Sequence, residues 1–352
     1  MEHTHRTEIS SIGEFGLIDR ITKDFVSVHD STLKTVGDDG AVIRNNSDGE
    51  ETVVTTDILV EGIHFDLSYC PLPYLGYKAV SVNISDLCAM NASPKQILIS
   101  IAISNRFSVE AVEAIYEGVK NACEVYKIDL IGGDTTASNK GLIINVVAIG
   151  TAHAKNITYR SGAKSGDLLC TSGDLGAAYV GLQILEREKA IFQQHPTTTP
   201  VLKGYDYIIQ RQLKAEARTD ITEFLKENNI IPTAMIDISD GLSSELLHLC
   251  RQSRAGAILY EAHIPIAKET YNTALEMNID PINCALSGGE DYELLFTISP
   301  ENKKLIEQHP DISIIGEILD ENLGIKLLTK GNNLHDIIAM GWNSLKDEDR
   351  RQ

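Results

Sequence analysis

Stretches typical of β-strands alternate with stretches typical of helices along the whole chain of 352 residues. Residues 53–56 and 97–103 are rich in β-branched and apolar side chains, which favours strands. Ser108 suits the N-cap of a helix, because the apolar residues after it recur at spacings of three and four. These residues are Val112, Ile115, Val119, Ala122 and Tyr126. Because the alternation continues after residue 168, the pattern predicts a mixed α/β (α+β) fold.

The length of the chain and one polar segment predict two domains. A chain of 352 residues exceeds what one hydrophobic core usually serves. Residues 159–167 are polar and rich in glycine, which is typical of a connection between domains. Strand-like and helix-like stretches occur on both sides of this connection. We therefore expect one α/β domain over residues 1–150 and a second over residues 151–352.

An excess of acidic residues narrows the range of partners. The chain has 50 Asp and Glu against 31 Lys and Arg, so its formal net charge is −19. Such a surface repels nucleic acid and anionic lipid, and we expect neither as a partner. The first residues lack the apolar core of a signal peptide, and the longest apolar runs are strand-sized, so we expect no membrane segment. The six cysteines are dispersed without a C-x-x-C pair, which predicts a reduced, cytoplasmic protein.

Six short segments place an acidic residue beside Gly, Ser or Thr. They are residues 37–40 with Asp39, 55–57 with Asp57, 83–86 with Asp86, 132–136 with Asp134, 237–241 with Asp237 and Asp240, and 287–291 with Glu290. Any one of them alone is typical of a turn or a helix cap. We interpret the acidic residues as lying at strand ends, from which six loops could meet in one cleft.

Carboxylates gathered in one cleft would repel one another unless cations filled the space between them. Mg²⁺ is the expected cation, because it prefers oxygen ligands and is often held by one or two carboxylates together with substrate phosphates. Asp240 would lie at the mouth of a helix that begins near Leu242, and a helix N-terminus favours phosphate. The residues themselves therefore predict a site that holds several Mg²⁺ ions for phosphorylated substrates.

Several standard nucleotide-binding motifs are missing from the sequence. It has no G-x-x-x-x-G-K-[ST], which excludes a P-loop enzyme, and no G-x-G-x-x-G, which excludes a Rossmann domain. It also lacks the H-R-D and D-F-G motifs of protein kinases. Residues 237–241 have the pattern D-x-x-D-G, which differs from the calcium-binding EF-hand loop. The expected Mg²⁺ site therefore belongs to a fold outside these classes.

Eight sequence blocks, taken in order, carry a specific resemblance. They are residues 13–18 (GEFGLI), 37–42 (GDDGAV), 55–65 (TTDILVEGIHF), 78–87 (KAVSVNISDL), 130–136 (LIGGDTT), 160–163 (RSGA), 237–242 (DISDGL) and 287–294 (SGGEDYEL). Through these blocks the chain resembles the thiamine-monophosphate kinase family over nearly its whole length. This family is part of the superfamily that includes aminoimidazole ribonucleotide synthetase and selenophosphate synthetase.

The resemblance implies an activity and an architecture. The implied activity is ATP-dependent phosphorylation of thiamine monophosphate to thiamine diphosphate, with several Mg²⁺ ions and with ATP as co-substrate. The implied architecture is two mixed α/β domains of the aminoimidazole ribonucleotide synthetase type in a homodimer. The N-terminal domain would bind ATP and Mg²⁺ and would form the dimer, and the C-terminal domain would complete the active site.

The resemblance also implies roles for particular residues. The implied Mg²⁺ ligands are Asp39, Thr55, Thr56, Asp57, Asp86, Asp134, Asp237 and Asp240. The implied ATP contacts are Gly133, Asp134, Arg160 and Ser239, with Tyr126 near the nucleotide. The residues expected against the thiamine phosphate are His64, Glu290 and Trp342. The residues implied in catalysis are Asp57, Asp134, Asp240 and Arg160.

The chemistry of phosphoryl transfer agrees with this interpretation. ATP and a phosphate monoester repel each other, so in-line transfer needs neutralised charge and aligned oxygens, which Mg²⁺ can supply. The acceptor phosphate has a second pKa of about 6, so direct transfer at neutral pH needs no strong general base. The alternatives are another ATP-dependent enzyme of the superfamily such as aminoimidazole ribonucleotide synthetase, a metal-dependent phosphohydrolase, and a non-catalytic nucleotide-binding protein.

Overall fold

The structure, a computed structural model, describes residues 12–45 and 49–338. Its strands are β1 (Thr32–Lys34), β2 (Ala41–Arg44), β3 (Glu50–Val60), β4 (Ser93–Ile103), β5 (Asp129–Ala137), β6 (Ile143–His153), β7 (Leu168–Ser172), β8 (Ala234–Asp237), β9 (Ala255–Tyr260), β10 (Leu294–Ile298), β11 (Ile312–Asp320), β12 (Ile325–Leu328) and β13 (Leu334–Asp336). Its α-helices are α1 (Gly13–Thr22), α2 (Leu72–Ala89), α3 (Val109–Tyr126), α4 (Ala177–Gln194), α5 (Asp206–Leu213), α6 (Thr219–Glu227), α7 (Leu242–Ser253), α8 (Lys268–Glu276), α9 (Pro281–Ser287) and α10 (Lys303–Ile306). Short 3₁₀ helices cover Glu261–His263, Pro300–Asn302 and Glu321–Leu323.

The first sheet has the strand order β1-β2-β3-β6-β4-β5. Its neighbouring strands are antiparallel, except that β4 and β5 run parallel. Side chains alternate along β6, where Val146 is buried and Val147 is half-buried. We call the face that carries Val146 the inner face, because this face packs on the hydrophobic core. The face that carries Val147 is the outer face, and it is more open to solvent.

The second sheet has the strand order β13-β12-β9-β11-β7-β10-β8. Its strands are antiparallel, except that β9 and β12 run parallel. Every residue of β7, β8 and β10 is buried, so both faces of these strands are covered. Leu246 of α7 packs against one face, and Phe296 on the other face joins the core that contains α2. Among the described helices, none combines the length and the apolar character that crossing a bilayer requires.

Helix α2 lies between the two sheets. It contacts β3, β4 and β6 of the first sheet, β8 of the second sheet, and the helices α3, α5 and α6. Its residues from 75 to 89 are buried, except Asp86, which is half-buried. One hydrophobic cluster therefore extends from Val53 of β3 through Leu87 of α2 to Phe296 of β10. Burial of this one helix joins the two halves of the chain.

Two glycines allow α2 and α3 to touch backbone to backbone. A Cβ atom on Gly76 would lie 1.9 Å from the carbonyl oxygen of Ile115, and one on Gly118 would lie 1.8 Å from that of Pro73. Real Cβ atoms do not approach an oxygen this closely, so both positions require glycine. The close contact brings α3 onto the side of α2 and completes its burial.

Most of the elements predicted from the sequence are confirmed. The mixed α/β fold is present, and residues 53–56 and 97–103 lie in β3 and β4. Ser108 caps α3, since its Oγ accepts a hydrogen bond from the amide of Ala111 at 3.3 Å. The division into residues 1–150 and 151–352 stays a prediction; β6 continues three residues past 150, to His153.

The interpretation of the acidic residues as strand-end residues was wrong for three of them. Asp86 lies on helix α2, and Asp57 and Asp134 lie inside β3 and β5. Residues 83–86 belong to a helix that is buried on all sides, and such a helix lacks the apolar periodicity that reveals an amphipathic one. Asp237 is the last residue of β8, as expected.

Substitution of Gly118 by Ala should destabilise the protein strongly. The added Cβ would force α3 away from α2, and overpacking of this kind costs about 3 kcal/mol. Gly132→Ala is the matched control, because its Cβ would meet only the Leu98 side chain at 3.8 Å. Chemical unfolding should give a free energy of unfolding close to wild type for Gly132→Ala and a much lower one for Gly118→Ala. Equal values would mean that the helix contact is not tight.

Candidate active site

Three carboxylates from three separate elements meet between the two sheets. Asp39 precedes β2, Asp86 lies on α2, and Asp237 ends β8. Each offers one oxygen atom, and these oxygens all lie within 4.8 Å of one another. Ser85 donates a hydrogen bond to Oδ2 of Asp237 at 2.7 Å, which ties β8 to α2. We call Asp39, Asp86 and Asp237 the carboxylate cluster.

Strand β3 runs beside the carboxylate cluster and contributes two residues to its surroundings. Because side chains alternate along a strand, Thr55 and Asp57 lie on the inner face and Thr56 lies on the outer face. Oγ1 of Thr55 donates a hydrogen bond to Oδ2 of Asp86. Oγ1 of Thr56 instead donates to the carbonyl oxygen of Val146 at 3.0 Å. Of the three predicted β3 ligands, the structure therefore brings the side chains of Thr55 and Asp57 to the cluster side of the sheet.

The loop between β8 and α7 holds Asp240 at the N-terminus of α7. Asp240 directly precedes Gly241, the N-cap of the helix, as the sequence predicted. Glu245 in the first turn of α7 holds this loop, because its Oε1 accepts the amide of Asp240 at 2.8 Å and the hydroxyl of Ser239 at 3.4 Å. The loop is therefore fixed, and a phosphate group placed here would face the positive end of the helix dipole.

Burial makes the acidic groups of this region hard to ionise together. Desolvation raises the pKa of Asp39 to about 7 and that of Asp237 to about 6, and it raises the pKa of Asp86 well above its usual value. Desolvation also raises the pKa of Asp57 to about 6 and that of Asp240 to about 7. The charges of neighbouring carboxylates add to each of these shifts. At neutral pH the ionised groups repel one another unless a cation lies among them.

Arg160 from the loop after β6 is brought to the carboxylate cluster. Its Nε donates to Oδ1 of Asp39 at 3.0 Å, and its Nη2 donates to the same oxygen. Its backbone amide donates to Oδ1 of Asp38 at 2.9 Å. The guanidinium group therefore neutralises part of the negative charge, and it presents a planar donor surface beside the cluster.

The residues of the cluster fit divalent magnesium. Oδ2 of Asp39 is buried, and it has no hydrogen-bond partner among the residues that the structure describes. A buried carboxylate oxygen without a partner needs a proton or a cation. The donors around it are carboxylate and hydroxyl oxygens, the ligand type that Mg²⁺ prefers. Asp39, Asp86 and Asp237, with Asp57 and Asp240 nearby, are the residues that would hold Mg²⁺.

A cavity of about 500 Å³ lies beside the loop of Asp240. Its wall is formed by aromatic, polar and charged side chains from both halves of the chain. The wall includes His64, Phe65, Tyr69, Lys78, Tyr179, Gln212, Ser239 and Glu290. Because Ser239 lines the cavity and also precedes Asp240, the cavity and the acidic residues share one loop. A small molecule in the cavity could therefore place one end at the residues that would hold Mg²⁺.

His64 lies in the turn after β3 and lines the cavity. Its Nδ1 accepts a hydrogen bond from the amide of Val60 at 3.0 Å. Burial is the main cause that lowers the pKa of His64, so the ring is neutral at pH 7. In the neutral ring with Nδ1 accepting, the proton is carried by Nε2. His64 is therefore a hydrogen-bond donor on the side opposite Val60.

Glu290 lies where the cavity meets the loop of Asp240. Its amide donates to the carbonyl oxygen of Ser239 at 2.7 Å. Its carboxylate is paired with the buried ammonium group of Lys78. Glu290 has a φ of 61°, a left-handed conformation that is rare for a residue with a side chain. The structure therefore places both predicted substrate residues that it describes, His64 and Glu290, in one cavity.

Gly133 and Asp134 are not brought to the carboxylate cluster of their own chain. Asp134 is in register with Ser100 of β4, a residue on the outer face of the sheet. Its carboxylate accepts a hydrogen bond from the amide of Thr135 at 2.8 Å. Gly133 is explained by packing, because a Cβ there would lie 1.8 Å from the carbonyl oxygen of Ile99. The register of β4 and β5 thus directs Asp134 away from α2.

Two further predicted residues also lie apart from the cluster. Tyr126 is buried at the end of α3, where its hydroxyl accepts the amide of Ala217 at 2.9 Å and pairs with the hydroxyl of Tyr77 at 3.3 Å. These bonds favour a role in packing, and contact of Tyr126 with ATP stays a prediction. Trp342 lies outside the described residues.

Sequence reasoning assigned no role to three acidic or basic residues that the structure places at the site. Glu14 lies on α1, and its charge raises the pKa of Asp57 and of Asp240, after burial. Lys78 lies on α2 behind Glu290, and Glu245 holds the loop of Asp240. The sequence offered one signal for Lys78, a charged residue at the start of an apolar run, because a lysine that is buried needs a charged partner. Glu245 had no such signal, because its burial depends on tertiary packing.

The comparisons with known proteins agree with the two-sheet fold. The family model described as "AIR synthase related protein, N-terminal domain" matches residues 37–152, which include β2 to β5, all of β6 but its last residue, and Asp39, Asp57 and Asp86. The solved structure of AaThiL complexed with AMPPCP and TMP has a TM-score of 0.82, is 33% identical, and covers 97% of this chain and 99% of that chain. The fold is that of the AIR synthase-related class.

The relatives define the family within this class. A thiamine-monophosphate kinase of Aquifex aeolicus (strain VF5) is 37% identical over 289 residues, which are 82% of this chain and 87% of the relative. A thiamine-monophosphate kinase of Bacillus subtilis (strain 168) is 31% identical over 338 residues, which are 95% of this chain and 99% of the relative. The chain belongs to the thiamine-monophosphate kinase family, which confirms the resemblance found in the sequence.

The metal-free protein should lose stability as the pH rises from about 4 to about 7. Over this range the buried carboxylates keep protons that the unfolded chain releases, because their folded pKa values are raised to about 6 or 7. Asp86→Asn should remove one of the repelling charges and raise the unfolding temperature of the metal-free protein at pH 7.5 by about 2–4 °C. The same substitution should abolish most of the stabilisation by added Mg²⁺.

Thermal unfolding in EDTA and in Mg²⁺, at pH 5.5 and pH 7.5, measures these effects. Asp336→Asn is the matched control, because the side chain of Asp336 is 73% exposed. The control should behave like the wild type under all four conditions. If Mg²⁺ stabilises Asp86→Asn as much as it stabilises the wild type, the carboxylate cluster does not hold the ion.

Proposed function

We propose that the protein phosphorylates thiamine monophosphate to thiamine diphosphate with ATP as the phosphoryl donor. The observation that carries this proposal is the cavity of about 500 Å³ beside a set of buried carboxylates. The cavity suits an acceptor with flat rings and one phosphate, and the carboxylates suit Mg²⁺. Membership of the thiamine-monophosphate kinase family supports the choice of acceptor.

We assign the Mg²⁺ ions to the carboxylate cluster together with Asp57 and Asp240. Bound Mg²⁺ would neutralise phosphate oxygens and align donor and acceptor for in-line transfer. Arg160, held by Asp39, lies where its guanidinium group can face the phosphates of ATP. Ser239 and the N-terminus of α7 add hydroxyl and amide donors at the same place. The binding of AMPPCP in the structure of AaThiL supports ATP as the nucleotide.

We assign the thiamine rings to the cavity. Phe65, Tyr69 and Tyr179 in its wall offer aromatic surface, which attracts a cationic thiazolium ring and a flat pyrimidine ring. Glu290 offers a carboxylate for the same cationic ring system. His64, protonated on Nε2, is a neutral donor. The Asp240 loop would then meet the phosphate end of the acceptor. Because this phosphate is already ionised at neutral pH, its direct phosphorylation uses no general base.

A homodimer is the arrangement that we propose for the active protein. The outer face of the first sheet carries apolar residues that are only half-buried, among them Leu98, Val147 and Ile149. Strand β5 at the sheet edge is exposed along its whole length. A second copy would cover this surface, and Asp134 on the same face would then face that copy. We therefore expect the N-terminal domain to form the dimer interface.

The domain roles and the cellular location stay predictions. The carboxylate cluster uses Asp39 and Asp86 from the first half of the chain and Asp237 from the second half, which supports the expectation that the second domain completes the site. All six cysteines are unpaired, which favours the expected reduced, cytoplasmic environment.

An acceptor comparison tests the proposed function. Purified enzyme with Mg²⁺ and γ-labelled ATP is offered thiamine, thiamine monophosphate and an aminoimidazole ribonucleotide precursor in parallel. Label should enter thiamine diphosphate only, with one ADP formed for each thiamine diphosphate and no label on acid-quenched protein. ADP without thiamine diphosphate would indicate a phosphohydrolase, and a phosphorylated protein that passes its label to thiamine monophosphate would exclude direct transfer.

Val147→Lys should turn the protein into a monomer. A charge at the centre of the outer face would be buried without a partner if a second copy covered it. Sedimentation velocity should give the mass of two chains for the wild type and of one chain for the variant. Leu334→Lys is the control, because Leu334 is 60% exposed on the other sheet, and this variant should stay dimeric. A dimeric Val147→Lys variant would place the interface elsewhere.

A further inference from the structure

A buried lysine stands behind Glu290 in the cavity wall. Lys78 lies on α2, and its side chain is 3% exposed, whereas that of Glu290 is 26% exposed. The Nζ of Lys78 binds Oε2 of Glu290 and the backbone carbonyl oxygen of Gln212, the latter at 3.0 Å. Of the two partners, Glu290 is therefore the one that can reach a molecule in the cavity.

The ammonium group of Lys78 is fixed from three directions. Its stem belongs to α2, one acceptor belongs to the loop before β10, and the other is a carbonyl oxygen in the last turn of α5. Carbonyl oxygens at the end of a helix lack a helical partner and attract a positive charge. Two of the three N–H donors are thus occupied by protein atoms, and the side chain has almost no exposed surface. Direct binding of a substrate phosphate by Lys78 does not fit this environment.

Glu290 is restrained by two more donors. The hydroxyl of Tyr292 donates to Oε1 of Glu290 at 3.2 Å, and Nε2 of Gln212 approaches Oε2 at 3.5 Å. The reverse orientation of the Gln212 amide would set an oxygen against a carboxylate oxygen, so the nitrogen must face Glu290. Oε1 of Gln212 is then buried, and it has no partner in the described part of the chain. The orientation that holds Glu290 in place therefore leaves Oε1 of Gln212 without a hydrogen bond. Buried polar atoms without a partner are rare and are found at functional sites.

The backbone around Glu290 is also held in uncommon conformations. Glu290 and Tyr292 have φ values of 61° and 51°. Between this loop and the loop of Asp240 there is no space for a side chain at position 289, where a Cβ would lie 2.5 Å from the carbonyl oxygen of Ser239. Residues persist in such conformations when the surrounding structure imposes them. The carboxylate of Glu290 is therefore positioned by its neighbours, with Lys78 as its charged partner.

We propose that Lys78 is a positioning residue that holds the carboxylate of Glu290 at the cavity wall for binding of a cationic, amino-bearing ring system. This inference rests on the proposed function, since the thiamine monophosphate acceptor carries such rings. Without the ammonium group, Glu290 would lose its ion pair and would turn towards water. The contact between Glu290 and the ring is made in the ground state and in the transition state alike. Loss of Lys78 should therefore raise KM for thiamine monophosphate and change kcat little.

A double-mutant cycle tests the inference with Lys78→Met, Glu290→Gln and the double variant. Calorimetry with Mg²⁺ and without ATP measures the affinity for thiamine monophosphate, and titration with a non-hydrolysable ATP analogue checks the nucleotide site. Each single substitution should weaken the affinity for thiamine monophosphate by about 10-fold or more. The affinity of the double variant should equal that of Glu290→Gln within about twofold. KM should rise by a similar factor while kcat and nucleotide affinity change by less than about threefold.

Lys326→Met is the control for removal of a lysine from an ion pair, because Lys326 pairs with Asp336 outside the cavity. It should bind thiamine monophosphate like the wild type. Normal affinity in Lys78→Met would overturn the inference. The inference would also be overturned if the double variant bound thiamine monophosphate about 10-fold more weakly than Glu290→Gln, because Lys78 would then have a contact of its own with the ligand.

The experiment also distinguishes failure of a variant to fold, failure of the proposed function, and failure of the inference alone. If Lys78→Met does not fold, the comparison of Glu290→Gln with the double variant still decides, because the double variant has no unpaired charge. If the wild type neither binds nor phosphorylates thiamine monophosphate, the proposed function itself is wrong. If the wild type does both and Glu290→Gln binds normally, only the inference about Lys78 and Glu290 fails.

Discussion

The complete burial of helix α2 is the constraint on which the rest of the structure depends. This helix packs against the first sheet on one side and against β8, α5 and α6 on the other, so both halves of the core need it. Gly76 lets α3 come close enough to cover its remaining side. A polar group on such a helix must find a partner in the protein or face a functional site. Lys78, Ser85 and Asp86 do so, and they link the helix to Glu290, Asp237 and Thr55.

The charges of the acidic site would favour a bound cation and would lower the stability of the protein without one. Burial raises the pKa of several carboxylates into the range of 6 to 7, and Arg160 neutralises only part of their charge. Groups with strongly shifted pKa values in a cleft are typical of sites that bind metal ions or reacting groups. The same burial that would weaken the metal-free protein would strengthen every electrostatic contact to Mg²⁺ and to phosphate.

The cavity and the acidic residues form one site because they share the loop that precedes α7. Ser239 lines the cavity, Asp240 follows it, and Glu245 fixes both to the helix. Glu290 joins the other side of this loop through its amide. An acceptor phosphate and metal ions bound here would thereby be kept at a set separation, and positioning of this kind accounts for much of the rate in phosphoryl transfer.

The sequence by itself determined the local features and the family. Ser108 as a helix cap, Asp237 at a strand end and Asp240 at the mouth of α7 depend on neighbouring residues only, so the local pattern was enough. Other features needed the tertiary structure because they depend on long-range packing and register. Asp86 lies on a helix without amphipathic periodicity, and Lys78 and Glu290 are separated by 212 residues. The register of β5 against β4 directs Asp134 to the outer face, because each step along a strand reverses the side of the sheet.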